Sequence, residues 1–520
     1  MNLHQIDFEV TGKFSPTFLD YIQNKKVLQP FFNQAPDIKS FEKIIAERSF
    51  EDGHRPTLVQ VLHQQYEDIE TSAEVSSNIS ALAAPNTFTV TTGHQLNIFT
   101  GPLFFIYKIV AAINLAKALK SHYPDYTFVP IYWMASEDHD FEEISHFRLF
   151  GNKYTWQHDA DGPVGRLNTA SMKALLDEIP ELPKFISDAY LHAKNLSEAT
   201  IRIVNELFGK HGLVILDADE PQLKRQFGSI VRDDIFSNSA NELTENTTKK
   251  LEDAGYKGQI FPREINFFYM EDGLRKRITK GEKTYKVLNT NLSFSEKELE
   301  NLIDSHPERF SPNVVMRPLY QEMILPNLAY IGGPAEMAYW LQLKDVFDHY
   351  EVPFPVLFPR LFGMIIPRPV LKKMGKNALE IQDIFMDMNA LKQRIISSGN
   401  DVYLDLSNEL EGLQKVYQSI KGKAGLADKS LEGFVIGEEK KAEKSIDNIQ
   451  KRIKKAEEQR HEISINQVQG VLDKLFPNGQ LQEREDNFLN FYINNPLFIE
   501  ELVEKLDPLS LKFNVLTDDA

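Results

Sequence analysis

From Thr87 to Leu119 the chain reads TFTVTTGHQLNIFTGPLFFIYKIVAAINLAKAL, a β-branched run, a glycine-bearing turn and a long apolar helix pattern. Thr87 to Thr92 have strand character, whereas Ile106, Ile109, Ala112, Ile113 and Ala116 recur at helical spacing. Gly93 and Gly101 permit backbone conformations that other residues resist, and Pro102 suits a first helical turn. The helix start then offers unpaired N–H groups and a positive dipole end, which suit a phosphate or carboxylate. Strand–turn–helix units are common without any ligand, but His94 and Gln95 add polar side chains where a crevice beyond the strand is expected.

The same alternation continues to about Arg368. TFTVTT, FVPIYWMA, GLVILDAD, NVVMRPL and PFPVLFPR read as strands separated by helices, which predicts an α/β core with a mainly parallel sheet. The stretch GQIFPREINFFYMEDGLRKRITKGEKTYKVL has period-two patterning, with turn signals at Glu271-Asp-Gly273 and Lys280-Gly281. It predicts a small β-rich insertion over about 255–290. Up to about Ala84, helical periodicity broken by Pro30, Pro36 and Pro56 predicts helices packed on the core. The core is thus expected over 1–370.

After Leu371 the composition turns to Lys, Glu, Gln, Ile and Leu. Apolar residues recur at Leu406, Leu410, Leu413, Tyr417 and Ile420, then at Ala442, Ile446, Ile449, Ile453, Ala456 and Ile463. Spacings of three and four predict a coiled-coil seam. The stretch Lys421 to Asp428, with Gly422 and Gly425, is expected to reverse the chain, and Ser397 to Asn400 to break the first helix. These signals together predict an antiparallel hairpin over 371–474, with 475–520 returning to the core. A lone two-helix hairpin leaves an apolar flank exposed, so a dimer arm is expected.

Composition narrows the chemistry. The chain has 520 residues and a net charge of -17, which argues against nucleic acid as a partner. It contains no cysteine, so thiol nucleophiles, disulfides and thiolate metal ligands are excluded. With no apolar run of bilayer length and no signal-peptide pattern over Met1 to Thr11, a cytoplasmic protein without membrane attachment is expected.

A second constellation is Val129-Pro-Ile-Tyr-Trp-Met-Ala-Ser-Glu-Asp-His-Asp-Phe-Glu-Glu143, in which Ser136 is placed to cap a turn or helix just past the strand. Glu137, Asp138, His139 and Asp140 gather at the carboxyl end of that strand, where they suit an ammonium group, a divalent ion or proton transfer. The plain alternative is an acidic helix start favoured by the dipole. His139/Glu143 and Glu142/His146 stand four apart, but the pattern is not a His-Glu-x-x-His zinc motif, and no metal ligands are assigned. A third cluster runs from Arg317 to Trp340. Gly332-Gly333-Pro334 opens another apolar helix, Glu336 falls in its first turn, and Tyr339 and Trp340 are placed to form an aromatic wall.

Together TTGHQLNIFTGPLFFIYK, VPIYWMASEDHDFEE, RPLYQEMILPNLAYIGGPAEMAYW, PFPVLFPR and LFPNGQLQERE resemble the BshC family, the cysteine-adding enzymes of bacillithiol biosynthesis. The resemblance runs from about Thr87 to the C-terminus. It implies a Rossmann-like core with connecting-peptide insertions and an α-helical coiled coil that mediates homodimerisation. The implied reaction adds L-cysteine to glucosaminyl malate through an amide bond, the last step of bacillithiol synthesis. The family is similar in core architecture to class I aminoacyl-tRNA synthetases and nucleotidyltransferases. In these a HIGH signature binds ATP phosphates, and Thr92 to Pro102 occupies the comparable place. Lys373-Met-Gly-Lys-Asn377 superficially resembles their KMSKS loop but sits where the hairpin begins, as a solvated helix face would.

Carboxylate and ammonium do not condense usefully at neutral pH, so ATP is expected to activate cysteine as an acyl-adenylate or acyl-phosphate, with ATP or ADP as the bound nucleotide and magnesium as a companion of the phosphates. In this scheme Gly93, His94, Gln95 and Gly101 hold phosphate or developing negative charge. Glu137, Asp138, His139 and Asp140 bind the cysteine ammonium or accept the amine proton. Gly332, Gly333 and Glu336 line the opposite wall. Arg317 and Arg360 pair with malate carboxylates or form structural ion pairs, and Gln482, Glu483 and Arg484 line a second ligand site or lock the return to the core. Two other classes fit less of the pattern: a nucleotide- or metal-dependent transferase built on Asp138-His-Asp140, and a non-catalytic nucleotide-responsive scaffold.

Overall fold

A computed structural model describes residues 1–51, 53–159, 161–179, 181–397 and 405–518. The chain divides into two compact units. The first contains Leu3–Met364 and Gln480–Leu516, the second Ile365–Gly479.

The first unit is organised by a five-stranded sheet: β1 (Thr87–His94), β2 (Thr127–Met134), β3 (Val214–Asp217), β4 (Asn327–Gly332) and β5 (Val356–Pro359). Their spatial order is β5-β4-β1-β2-β3, and every neighbouring pair is parallel. These strands are buried almost throughout, as a parallel sheet covered on both faces requires. The strand order reverses between β1 and β4, and such a switch point opens a crevice beyond the carboxyl ends of the strands. Thr89 and Thr91 are buried in β1, and their hydroxyls donate to Asn327 Oδ1 at 3.0 and 2.8 Å, so these polar groups tie β1 to β4.

Helix α1 (Phe104–His122) follows β1, α2 (Arg317–Ile324) precedes β4, and α3 (Pro334–Leu341) follows it. Two expectations need correction here. NVVMRPL is not a strand: Asn313 Oδ1 accepts from the N–H groups of Val315 and Met316, Pro318 suits the first helical turn, and the chain enters α2. The fourth strand is instead Asn327–Gly332. The β-rich insertion is a five-stranded antiparallel sheet that extends beyond residue 290. Its strands are Phe267–Glu271, Leu274–Lys280, Tyr285–Val287, Ser293–Phe294 and Phe310–Pro312.

In the second unit, helices Ser407–Ala427 and Leu431–Arg460 pack together as a hairpin. Gln414 Nε2 donates to Glu443 Oε1 at 2.8 Å, and Gly425 faces Glu432; both pairs are symmetric about Asp428–Ser430, which makes the helices antiparallel. The chain therefore reverses later than expected, with Gly422 and Gly425 inside a continuous helix. Seam positions Leu410, Leu413, Tyr417, Ile446 and Ile453 are half-buried. The expected break at 397–400 falls on 398–400 outside the described residues. Lys373 is exposed on helix Arg368–Lys376, where Val370 and Met374 are buried.

Candidate active site

Parallel register sets His94, Met134 and Asp217 level across three strands, so the residues just past them share one rim. Two cavities open there. The first, about 410 Å³, is lined by Gly93, His94, Gln95, Lys108, Arg317, Tyr330, Glu336 and Tyr339 among others. The second, about 390 Å³, is lined by Glu137, Asp138, His139, Phe268, Arg275, Tyr320 and others. Trp133, Ala135, Val314 and Arg317 line both, so the cavities adjoin across Arg317.

Lys108 anchors the first cavity. It lies one turn into α1, and its Nζ donates to Gly93 O at 2.8 Å and pairs with Glu336 Oε2 at 2.6 Å. Glu336 Oε1 accepts from Tyr330 Oη at 2.7 Å, and its Oε2 from Gly333 N–H at 2.8 Å. Burial raises the Glu336 carboxyl, but Lys108 and these donors outweigh it and hold the group below the usual value. With that many partners, Glu336 is a strut between β1, β4 and α3, and its side chain, 24% exposed, still lines the cavity. A Cβ at Gly93 would make only ordinary contacts, 3.4 Å from Tyr330 Oη and 3.6 Å from Arg317 Nη1, so the position borders both residues without being closed to a side chain.

His94 stacks edge-on against Phe104, with ring centroids 5.2 Å apart. Burial first, then the Lys108 and Arg360 charges, lower it to about 3 against the opposing pull of Glu336. It is therefore a neutral imidazole at physiological pH. Two buried atoms here, His94 Nε2 and Arg317 Nη2, meet no hydrogen-bond partner among the described residues. Arg317 Nη1 donates to Gln321 Oε1 at 3.0 Å, and the guanidinium carbon sits 5.6 and 5.9 Å from the Tyr330 and Trp133 ring centroids.

At the second cavity, Asp138 Oδ2 accepts from Nε2 of Gln95, a lining residue of the first, which also donates to Glu143 Oε2, each at 2.7 Å. Asp138 Oδ1 accepts the His139 N–H at 2.7 Å. Burial raises the Asp138 carboxyl, but His139, Gln95 and Arg275 hold it well below its usual range, so it persists as a carboxylate and is a weak base. Glu137 pairs with buried Lys224 at 3.2 Å, and Lys224 also pairs with Asp219 at 3.1 Å.

Six expected site residues line neither cavity. Asp140 is exposed and caps the short helix Phe141–Ile144 by accepting from Glu143 N–H; Ser136, the expected cap, instead donates to Asp217. Gly101 stands at φ +66° in a turn where Asn487 Nδ2 donates to the carbonyls of Phe99 and Gly101, and the Leu103 N–H is taken by Asp486 O. The start of α1 is thus braced by the returning C-terminal segment at its N-cap, Leu103. Gly332 and Gly333 carry the backbone into α3 beneath the strut. Trp340 is fully buried and stacks on Tyr330 with centroids 4.5 Å apart, leaving Tyr339 alone as cavity wall.

Arg360 is a structural ion pair: Nη2 meets Glu483 Oε1 at 2.6 Å with side chains 3% and 0% exposed, and Nη1 donates to Leu361 O. Glu483 also accepts from Gly363 N–H at 2.9 Å, so Glu483 locks the return to the core. The helix Phe141–Ile144 is only four residues long, so His139/Glu143 and Glu142/His146 do not share one helical face.

Sequence reasoning missed Lys108 and Arg275. Lys108 had a signal, a lone cation inside the apolar run FFIYKIVAAI. Arg275 had none, because only the antiparallel insertion brings it to the rim.

The fold and rim define a doubly wound α/β enzyme core whose ligand crevice lies at the switch point of the sheet. Residues 1–361 match the family described as bacillithiol biosynthesis BshC, N-terminal Rossmann-like domain, and residues 363–517 match its C-terminal coiled-coil domain. Similar curated proteins carry the name "Putative cysteine ligase BshC". The one from Cytophaga hutchinsonii is 40% identical over 99% of this chain and 98% of its own. The one from Flavobacterium johnsoniae is 42% identical over 98% and 99%, and that from Chlorobaculum tepidum 28% identical over both full lengths. A solved Campylobacter jejuni chain titled as an arginyl-tRNA synthetase aligns over 85% of this chain and 97% of its own at 13% identity, but its TM-score of 0.21 is too low to define a shared fold. The chain belongs to the BshC family, enzymes of bacillithiol biosynthesis that are named as cysteine ligases.

Proposed function

We propose that this chain is a cysteine ligase that joins L-cysteine to the amino group of glucosaminyl malate, with ATP activating the cysteine carboxylate. The observation that carries the reading is the pair of adjoining cavities meeting at Arg317, one with unsatisfied buried donors and one with a carboxylate kept ionised.

His94 and Arg317 both line the first cavity, and each keeps a buried nitrogen, Nε2 and Nη2, that meets no partner among the described residues, which favours an anionic group there. The nucleotide supplies a leaving group on the cysteine carboxyl oxygen. Arg317 and neutral His94 then stabilise negative charge in the first cavity, and Lys108 fixes the Gly93 carbonyl by donating to it. Asp138 holds the cysteine ammonium by charge, which orients its carboxyl toward Arg317. The amine nitrogen would attack the carbonyl carbon, the activated C–O bond would break with its electron pair leaving on phosphate oxygen, and the amine proton would pass to solvent water. With no metal-ligating cluster among the described residues, magnesium would be held chiefly through phosphate oxygens.

The second unit supports a homodimer. Val416, Ile420, Leu426, Phe434 and Ile449 are apolar residues of the hairpin exposed by 44 to 91%, and a second copy of the same seam would cover them. The ligase reading is tested by incubating the protein with cysteine, glucosaminyl malate and ATP and following ligated product and nucleotide product by mass spectrometry. Ligation that depends on ATP is expected. Ligation without ATP overturns the activation step, and no ligation under either condition overturns the assignment.

A further inference from the structure

Strand Leu274–Lys280 of the antiparallel insertion carries Arg275 into the second cavity, where the residue is 7% exposed. Its guanidinium is committed on every side. Nε donates to Ser311 Oγ at 3.0 Å, Nη2 donates to Pro312 O at 3.1 Å, and the central carbon sits 3.9 Å from the Phe268 ring centroid. Nη1 lies 2.7 Å from His139 Nδ1.

A guanidinium has no acceptor, so in that contact the imidazole nitrogen accepts and the ring hydrogen resides on Nε2. The other tautomer would set two N–H donors against each other at 2.7 Å. Asp138 Oδ1, at 3.7 Å from Nδ1, is beyond hydrogen-bond range and already accepts the His139 backbone N–H. The ring is further held against Phe268, with centroids 5.4 Å apart.

We propose that Arg275 is a positioning residue that fixes His139 as an Nε2–H donor. His139 therefore donates a hydrogen bond to a carbonyl or carboxylate oxygen of bound substrate and does not take the proton from the attacking amine. The substrate half of this statement rests on the ligase reading; the tautomer half does not.

The test begins with ligand-free protein labelled with ¹⁵N-histidine, the His139 signals being identified by their loss in His139→Gln. The wild type is expected to show a proton on Nε2 and none on Nδ1, and Arg275→Met to show both tautomers. A wild-type ring protonated on Nδ1 overturns the proposal, and this measurement needs no folded Arg275 variant.

Ligation then separates donor from base. Glutamine places an N–H near the Nε2 position and asparagine near Nδ1. His139→Gln is expected to keep kcat/KM within roughly tenfold of wild type, while His139→Asn loses on the order of 100-fold. Arg275→Met is expected to lose on the order of 10- to 100-fold, as partners that orient a working histidine do. Equal loss in the two His139 variants overturns the donor role. Absence of ligation in wild type with the tautomer as stated overturns the ligase reading and the substrate half, and leaves the Arg275–His139 arrangement standing.

Discussion

Replacing Arg360 separates a structural ion pair from a substrate contact. The pair with Glu483 spans 2.6 Å, with side chains 3% and 0% exposed. Arg360→Met leaves a carboxylate buried in the first unit without its cation, and breaking such a pair costs about 3–5 kcal/mol. At a urea m-value of about 3 kcal/mol/M, the unfolding midpoint should fall by roughly 1 M or more. The double variant Arg360→Met/Glu483→Gln removes the orphaned charge while the amide oxygen still accepts from Gly363 N–H, so it should recover at least half of the loss. Urea unfolding of wild type, both single variants and the double variant supplies the cycle. In ligation assays at a temperature where Arg360→Met is folded, KM for glucosaminyl malate should be unchanged, because Arg360 lines neither cavity. Additive losses in the cycle, or a large rise in KM without destabilisation, would refute the assignment.

Glu322 is buried and its carboxyl is pushed up to about 7, chiefly by burial, although Arg48, Asn327 and Gln321 oppose the rise. A raised carboxyl stabilises the fold below its unfolded value, and that contribution is lost as pH rises toward 7. Glu322→Gln should therefore gain about 3 kcal/mol relative to wild type between pH 4 and pH 8, read from urea midpoints at the two pH values; a difference that does not vary with pH refutes it. Arg317→Met should lower kcat/KM by roughly 10- to 150-fold, the worth of one hydrogen bond to a charged group, with the thermal midpoint little changed. Phe434 is 66% exposed on the hairpin, so under the proposed homodimer light scattering should find wild type as a dimer and Phe434→Glu as a monomer, without loss of helicity by circular dichroism.

The strand–turn–helix unit at Thr87–His122 was legible because β-branched and helical periodicities are local properties of neighbouring residues. The same holds for the hairpin, whose seam spacing persists over many turns. The strand read at Asn313–Leu319 failed because an apolar run does not itself distinguish strand from helix; Asn313 and Pro318 settle the matter as turn and helix start. Gly101 was a sound signal for an unusual turn, but not for what the turn faces, since Asn487 arrives from the far end of the chain.

By itself, the sequence determined the class of fold, the family, and the three segments that reach the rim of the sheet, because periodicity and long ordered motifs survive without coordinates. The tertiary structure alone decided which polar groups on and beside those segments are already satisfied. Arg317 and His94 keep unpaired buried nitrogens, whereas Arg360, Glu336 and Asp140 are consumed by Glu483, Lys108 and the Glu143 backbone. Charge and residue type are local, but whether a polar group is already satisfied depends on partners brought from distant parts of the chain.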